Sequence, residues 1–169
     1  MIKNGMYFAK QDIYDLIRSL GGTWNDSKER PLVCIIESKE INGLYYAIPL
    51  GNYEHRNPQA KKRIQQYLDL PESKIESCYY HVGNTTVKSI FFISDVIPIT
   101  DKYIDREYTN YYSNQIHKIK NKKLIAELER KVSRILAWEK GRPNFFRQHI
   151  SDVRDALIKE LNNISSNPH

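Results

Sequence analysis

Cysteine and long apolar runs are scarce in this sequence, and each shortage rules something out. The 169 residues include two cysteines, Cys34 and Cys78, and neither sits in a paired motif. A structural zinc site needs about four Cys or His ligands at short spacings. No such set occurs, so no metal and no cofactor are expected. Two cysteines cannot build the framework of a disulfide-held secreted scaffold either. Cys34 lies inside LVCII and reads as a buried thiol in a reducing compartment; its pairing with Cys78 stays open. No apolar stretch approaches the roughly 20 residues of a membrane span. The first ten residues, MIKNGMYFAK, carry no apolar h-region, so a cytoplasmic location with no membrane partner is expected. No internal repeat and no long linker divides the chain. It reads as a single domain over 1–169, long enough to bury about two-thirds of its unfolded surface.

Acids are the other shortage. Against 26 Lys and Arg stand 20 Asp and Glu, a net charge of +6, in a composition otherwise usual for a globular protein at 40% hydrophobic and 27% charged. The excess is local. Residues 55–63 carry Arg56, Lys61, Lys62 and Arg63 with no acid. Residues 115–134 carry Lys118, Lys120, Lys122, Lys123, Arg130, Lys131 and Arg134 against Glu127 and Glu129. The chain also has twelve tyrosines. Aromatic rings that stack bases, set among cations that follow the backbone, suit single-stranded nucleic acid. The competing reading is that the lysines only solvate helix faces while the tyrosines fill an amphipathic core.

The patterning predicts an α+β fold, a compact antiparallel barrel-like sheet flanked by helices with a long C-terminal helical pair. The sheet with inserted helices would occupy 1–108 and the C-terminal helices 109–163. A first strand is expected over GMYFA. A helix follows over 10–20, where Ile13, Leu16, Ile17 and Leu20 recur at helical spacing before Gly21-Gly22. LVCII reads as a buried strand. Asn42-Gly43 signals a two-residue hairpin, with GLYYAIPL returning beside it until Pro49 stops the ladder. A short helix over 61–70, strands over 77–82 and 86–94 joined at Gly83-Asn84, and an extension over VIPI complete the first part. Ile116, Ile119, Leu124, Leu128, Val132, Ile135 and Leu136 predict one long amphipathic helix. Gly141-Arg142-Pro143 breaks it, and Ile150, Val153, Leu157 and Leu161 mark a last helix.

The stretch YYAIPLGNYEHRNPQ, residues 45–59, runs from a strand into a cluster of hydrogen-bond donors. His55 is the only histidine in a loop that directly follows a strand end. A histidine there can act as acid or base near neutral pH, or it is a solvated surface residue. Antiparallel pairing puts the start of one strand beside the end of the next. Arg30, just before the first hairpin strand, therefore lies at the same end as residues 50–52, and it either clamps a phosphate or bridges a loop acid. Gly51 would let the backbone approach a phosphate, and Asn52 offers an amide donor. Lys10, Tyr53 and Arg56 are further candidates. His81, on a strand, and His117 and His149, on helical patterns, read as structural or surface residues.

The ordered set has a resemblance. It comprises the aromatic first strand, Arg30-Pro31-Leu32-Val33, the hairpin around ING, the strand ending AIPL, the polar loop with a histidine, and FFISDVIPI. This order is similar to that of the toxins of type III toxin–antitoxin systems, the ToxN/AbiQ group with its CptN and TenpN relatives. The resemblance implies a PemK/MazF-like barrel core and metal-independent endoribonuclease activity in phage defence. It implies an RNA substrate and inhibition by a small structured RNA antitoxin, in a hetero-oligomer with that RNA and without a protein antitoxin. Arg30 matches the basic position of the family site, and Tyr7 an aromatic position that stacks or donates, though Tyr7 suits the core equally. Lys118, Lys120, Lys122 and Lys123 would form a groove wall for the antitoxin. The sequence departs from the family where a hydroxyl residue usually follows the Pro-Leu pair: Gly51-Asn52 stands there. Two rival readings stay in view, a non-catalytic RNA-binding module and a basic protein-interaction domain.

Overall fold

A computed structural model describes residues 1–25 and 27–166 of the chain. β1 (Met6–Ala9) leads into α1 (Gln11–Ser19), which buries Ile13 and Ile17. Gly21, at φ 85°, turns the chain out of that helix in a backbone state that glycine reaches without steric cost. β2 (Leu32–Glu37) and β3 (Tyr45–Asn52) form the expected hairpin. Their connection, however, runs from Ser38 to Leu44 and is not the two-residue turn. Positive φ falls on Gly43 alone, and the Leu44 N–H bonds the Ile41 carbonyl at 3.3 Å. A type I′ hairpin turn requires positive φ at both central residues.

α2 (Pro58–Leu68) starts earlier than the pattern predicts. The Asn57 side chain accepts the Ala60 N–H, and Pro58 occupies the first turn, where its missing N–H is harmless. A 3-10 turn, Ile75–Cys78, takes the place of the expected strand start. β4 (Tyr80–Asn84) and β5 (Lys88–Phe92) then pair through residues 85–87. Gly83-Asn84 stays inside β4 and is not the turn. β6 (Ile97–Ile99) follows, and then β7 (Ile104–Glu107), a strand the pattern did not predict because IDRE is mostly exposed and polar.

The largest correction concerns 109–121. Ile116 and Ile119 do not belong to a helix. The Met6 N–H bonds the His117 carbonyl at 2.9 Å and the Ile119 N–H bonds the Asn4 carbonyl at 3.0 Å, which ties this segment beside β1. Asn121 then starts α3 (Lys122–Gly141) by accepting the Lys123 and Leu124 N–H groups. Lys118 and Lys120 are therefore loop residues, and Lys122 and Lys123 open a helix. α4 (Ile150–Ser166) ends the described chain.

The seven strands form one antiparallel sheet in the order β4-β5-β3-β2-β1-β7, with β6 also on β3. It is an open sheet, β4 and β7 being its ends, rather than a closed barrel. Pro49 does not stop β3. Tyr45 to Ala47 pair with β6, and Leu50 to Asn52 pair with β5. The proline, with no N–H to donate, sits where the ladder passes from one partner to the other. Alternate residues enter two cores. Val33, Ile35 and Ile48 pack with Leu128, Val132 and Ile135 of α3. Leu32, Cys34 and Ala47 pack with Ile13, Ile17, Val153 and Leu157 of α1 and α4. Helices on both faces explain why LVCII is apolar at every position. They also separate the cysteines: Cys78 lies in the first core, Cys34 in the second, and both are free. Burial pushes the Cys34 thiol up to about 12, which makes it inert.

Candidate nucleic-acid cleft

The hairpin sets Arg30 where antiparallel pairing requires it. The Leu50 N–H bonds the Pro31 carbonyl at 3.1 Å, so Arg30 stands beside the end of β3. Its guanidinium lies 4.7 Å from the centre of the Phe92 ring. Phe92 ends β5, the neighbour of β3 on that side. A second guanidinium reaches the same ring. Asn52 Oδ1 accepts the Glu54 N–H at 2.9 Å and the Arg56 N–H bonds the Tyr53 carbonyl at 3.0 Å. This turn sends Arg56 back over the strand to within 5.5 Å of Phe92. Gly51 makes room for it, since a Cβ there would meet Arg56 Nη2 at 3.0 Å. The glycine thus admits a guanidinium, where the sequence pointed to a phosphate.

Two more arginines and a set of rings close the site. Arg63 comes from α2, and Arg147 from the loop between α3 and α4. Tyr67, Tyr79, Tyr80, Phe145 and Phe146 complete a cleft of about 520 Å³. Arg30, Asp95 and Arg147 also border an adjoining lobe of about 560 Å³ that reaches Lys10, Lys28 and Trp24. The α3–α4 loop is held firmly. Buried Glu139 accepts the Ser151 N–H and hydroxyl at 3.2 and 2.8 Å, and Gln148 Nε2 donates to the Ser94 and Val96 carbonyls, both at 2.8 Å.

The charges do not balance. Four arginines line the cleft with one carboxylate, Asp95, and Arg147 already engages it through two hydrogen bonds of 3.1 and 2.9 Å. Burial and the nearby Arg56 charge both draw the Arg30 pKa down. Arg30 still keeps its charge, because a guanidinium starts so far above neutrality. Arg56 Nε is buried with no hydrogen-bond partner among the described residues. Two guanidiniums on one ring, with a donor left over, favour a bound anion. Burial raises the Tyr80 hydroxyl, against the opposing pull of Arg63, so this phenol remains a donor.

The structure gathers Arg30, Gly51, Arg56 and Arg63 at one place, with Lys10 in the adjoining lobe, where its ammonium bonds the Lys102 carbonyl at 2.8 Å. His55 is exposed and does not line the arginine cleft or its adjoining lobe; its Nε2 lies 3.5 Å from Asn52 Nδ2. Tyr7 stays out of the cleft. It is buried in the second core, and its hydroxyl accepts the Ile2 N–H at 2.7 Å. The Tyr53 ring sits between the Lys61 and Lys88 ammoniums at 5.0 and 4.8 Å, and Glu54 pairs with both. Lys62 faces a shallow hollow on α2. Lys118, Lys120, Lys122 and Lys123 lie elsewhere, at the start of α3. Sequence reasoning missed Phe92, Asp95, Tyr80 and Arg147. The run Phe145-Phe146-Arg147 was the one visible signal, but nothing local connects it to Arg30.

Gly51→Ala tests the packing. Arg56 is the flexible end of a side chain and can move aside, so thermal stability should change by less than about 0.5 kcal/mol. Affinity for a phosphate-bearing ligand should still fall, because the displaced guanidinium no longer shares Phe92 with Arg30. A large loss of stability in a melting experiment would show instead that the backbone had shifted.

No family model matches the sequence, and no curated protein matches it. Among solved structures the chain is similar to AbiQ, a lactococcal anti-phage endoribonuclease belonging to the type III toxin–antitoxin system. The TM-score is 0.60 at 14% identity, covering 96% of this chain and 98% of that one. At that identity the likeness is one of fold, it spans nearly the whole of both chains, and the protein has the AbiQ fold.

Proposed function

We propose that the protein is an endoribonuclease toxin of the type III class, cutting single-stranded RNA in the arginine cleft and silenced by a structured RNA antitoxin. The observation that carries this reading is the cleft itself: four arginines and one engaged carboxylate among aromatic rings, on the fold of AbiQ. Arg30 and Arg56 would grip the phosphoryl oxygens of one phosphodiester, and the Tyr67 and Phe145 rings would stack the flanking bases. The internal 2′-OH attacks the adjacent phosphorus in line. The phosphorus–5′-oxygen bond breaks, leaving a 2′,3′-cyclic phosphate and a 5′-hydroxyl. His55 serves as the proton acceptor or donor. The protonated Tyr80 phenol is the alternative donor to the leaving oxygen.

The test is a purified-protein digest of a mixed RNA with end-group analysis. Cutting should survive a metal chelator and leave 2′,3′-cyclic phosphate ends. Loss of cutting in EDTA would sink the mechanism. Induction of the chain alone should also arrest bacterial growth, and an RNA antitoxin encoded beside the gene should restore it. Two observations favour a binding module without catalysis: His55 lines neither the cleft nor its adjoining lobe, and Gly51-Asn52 supplies no hydroxyl. RNA binding with no cutting in the same digest would establish that reading.

A further inference from the structure

The arginine cleft is not the only basic and aromatic surface. Between Tyr108 and Ala126 the chain has no acidic residue, and it carries Lys118, Lys120, Lys122 and Lys123. All four lysines are exposed, and none makes an ion pair among the described residues. The same segment holds the two most exposed large rings among the described residues, Tyr111 and Tyr112, each 93% exposed.

These tyrosines are presented by a built loop. The Asn110 N–H bonds the Gln115 carbonyl at 2.8 Å, and the Asn114 N–H bonds the Asn110 carbonyl at 2.9 Å. Asn110 Oδ1 accepts the Tyr112 and Ser113 N–H groups at 2.9 and 3.3 Å. Asn114 takes φ 51°, the left-handed state that asparagine tolerates best after glycine. At the tip the two rings touch only edge to face, centroids 5.4 Å apart. Their faces are left open to water, although covering apolar surface is favourable.

Behind the loop is a hollow of about 390 Å³ with Asn84, Asn110, Gln115, His117 and Asn121 on its walls. The carboxamide oxygens of Asn110 and Asn121 are taken by backbone N–H groups. Their NH₂ groups remain as donors beside the four lysines, a chemistry that suits phosphate oxygens.

Its place in the fold separates this hollow from the cleft. Met6 opens β1 and borders the hollow, while Ala9 closes β1 and borders the arginine lobe. Asn84, the last residue of β4, borders the hollow, while Tyr80 and Phe92 at the other end of the hairpin border the cleft. At about 3.3 Å per residue, the two sites lie on the order of 10–15 Å apart along the same strands.

We infer that the Tyr111–Tyr112 loop and the lysines at the start of α3 form a second binding surface for single-stranded RNA. The two rings stack successive bases, and Lys118, Lys120, Lys122 and Lys123 hold the backbone. Charge complementarity selects this partner: an acid-free surface of lysines and open rings fits a polyanion with stackable bases.

The inference does not rest on cleavage, and its test avoids cleavage. The probe is a fluorescein-labelled 2′-O-methyl oligouridine of about 15 nucleotides, long enough to reach both surfaces and with no free 2′-OH. Binding is read by anisotropy over a range of salt. Tyr111→Ala with Tyr112→Ala should raise Kd about tenfold or more, since each lost stack weakens binding several-fold. The salt slope should be unchanged, because the rings carry no charge. Tyr111→Phe with Tyr112→Phe should retain the affinity. Reversing Lys120, Lys122 and Lys123 to Glu should weaken binding and flatten the slope by about 0.7 for each phosphate that is no longer neutralised. An unchanged Kd in the double alanine variant overturns the inference, as does a Phe pair that loses as much as the Ala pair. An alanine pair that keeps its RNA affinity but no longer self-associates in sedimentation would assign the loop to an interface between copies of the chain and also overturn it.

Discussion

Arg30→Ala should lower kcat/KM for RNA cleavage by about 10²–10³-fold, the cost of removing one well-placed donor to a phosphoryl oxygen. The reasoning starts from the Phe92 ring, which Arg30 and Arg56 approach at 4.7 and 5.5 Å. Their mutual repulsion is a fixed cost of the free protein, and it adds to burial, the larger cause, in lowering the Arg30 pKa. A bound phosphate relieves it, and the relief grows as charge builds on the phosphoryl oxygens. Arg30→Ala should therefore weaken binding as well as turnover, because a clamp acts in the ground state and more strongly in the transition state. Arg30→Lys separates charge from shape. It keeps the positive charge but loses the planar fork and the face that lies on Phe92, so it should recover binding more than turnover. A single-turnover assay with a labelled RNA, beside an equilibrium titration, reads both. Cleavage at the parental rate in Arg30→Ala would move the reaction out of this cleft.

His55→Ala should slow cleavage by about 10²-fold or more and leave RNA binding intact, as for loss of a general acid–base group. The geometry makes this a sharp test. His55 is exposed, and its side-chain hydrogen-bond contact is with the Asn52 carboxamide at 3.5 Å. The residue next to it, Arg56, reaches into the cleft, and the effect requires the imidazole to reach a phosphodiester bound there. Its loss removes little packing and should not move the melting temperature. The comparison is Tyr80→Phe, which deletes only the phenolic hydroxyl that burial keeps protonated. If His55→Ala cuts as fast as the parent while Tyr80→Phe is slow, the phenol carries the proton and the histidine is a bystander. Slow cleavage in both would place them on the two sides of the reaction, one for the attacking 2′-oxygen and one for the leaving 5′-oxygen.

Much of the architecture was legible from local pattern. Helical spacing of Ile13 and Ile17 marked α1, and that of Ile150, Val153 and Leu157 marked α4, because an amphipathic helix writes its buried face into its sequence. The apolar run LVCII marked β2, and Arg30 beside the end of β3 followed from antiparallel pairing alone. The acid-poor stretches at 55–63 and 115–134 marked basic surfaces. The failures share a cause. Ile116 and Ile119 continued the spacing of α3, yet the backbone bonds of their segment to Met6 and Asn4 outweighed that local preference. β7 is too polar to announce itself and exists because β1 offers it an edge. Pro49 looked like a strand end, whereas it marks a change of partner.

The cleft is where sequence and tertiary structure part. Sequence by itself determined that the protein carries excess positive charge interleaved with aromatic rings, and that Arg30 meets the end of β3. Only the tertiary structure decided which arginines share a site. Arg30 precedes β2, Arg56 follows β3, Arg63 lies on α2 and Arg147 follows α3, so their meeting depends on strand order, on the register of Leu50 with Phe91, and on the loop pinned by Glu139 and Gln148. It also decided that Tyr7 turns inward and that Gly51 makes room for Arg56. Periodicity reports which face of an element is buried. It does not report what that face is buried against, because that is set by long-range packing, which no local window of residues contains.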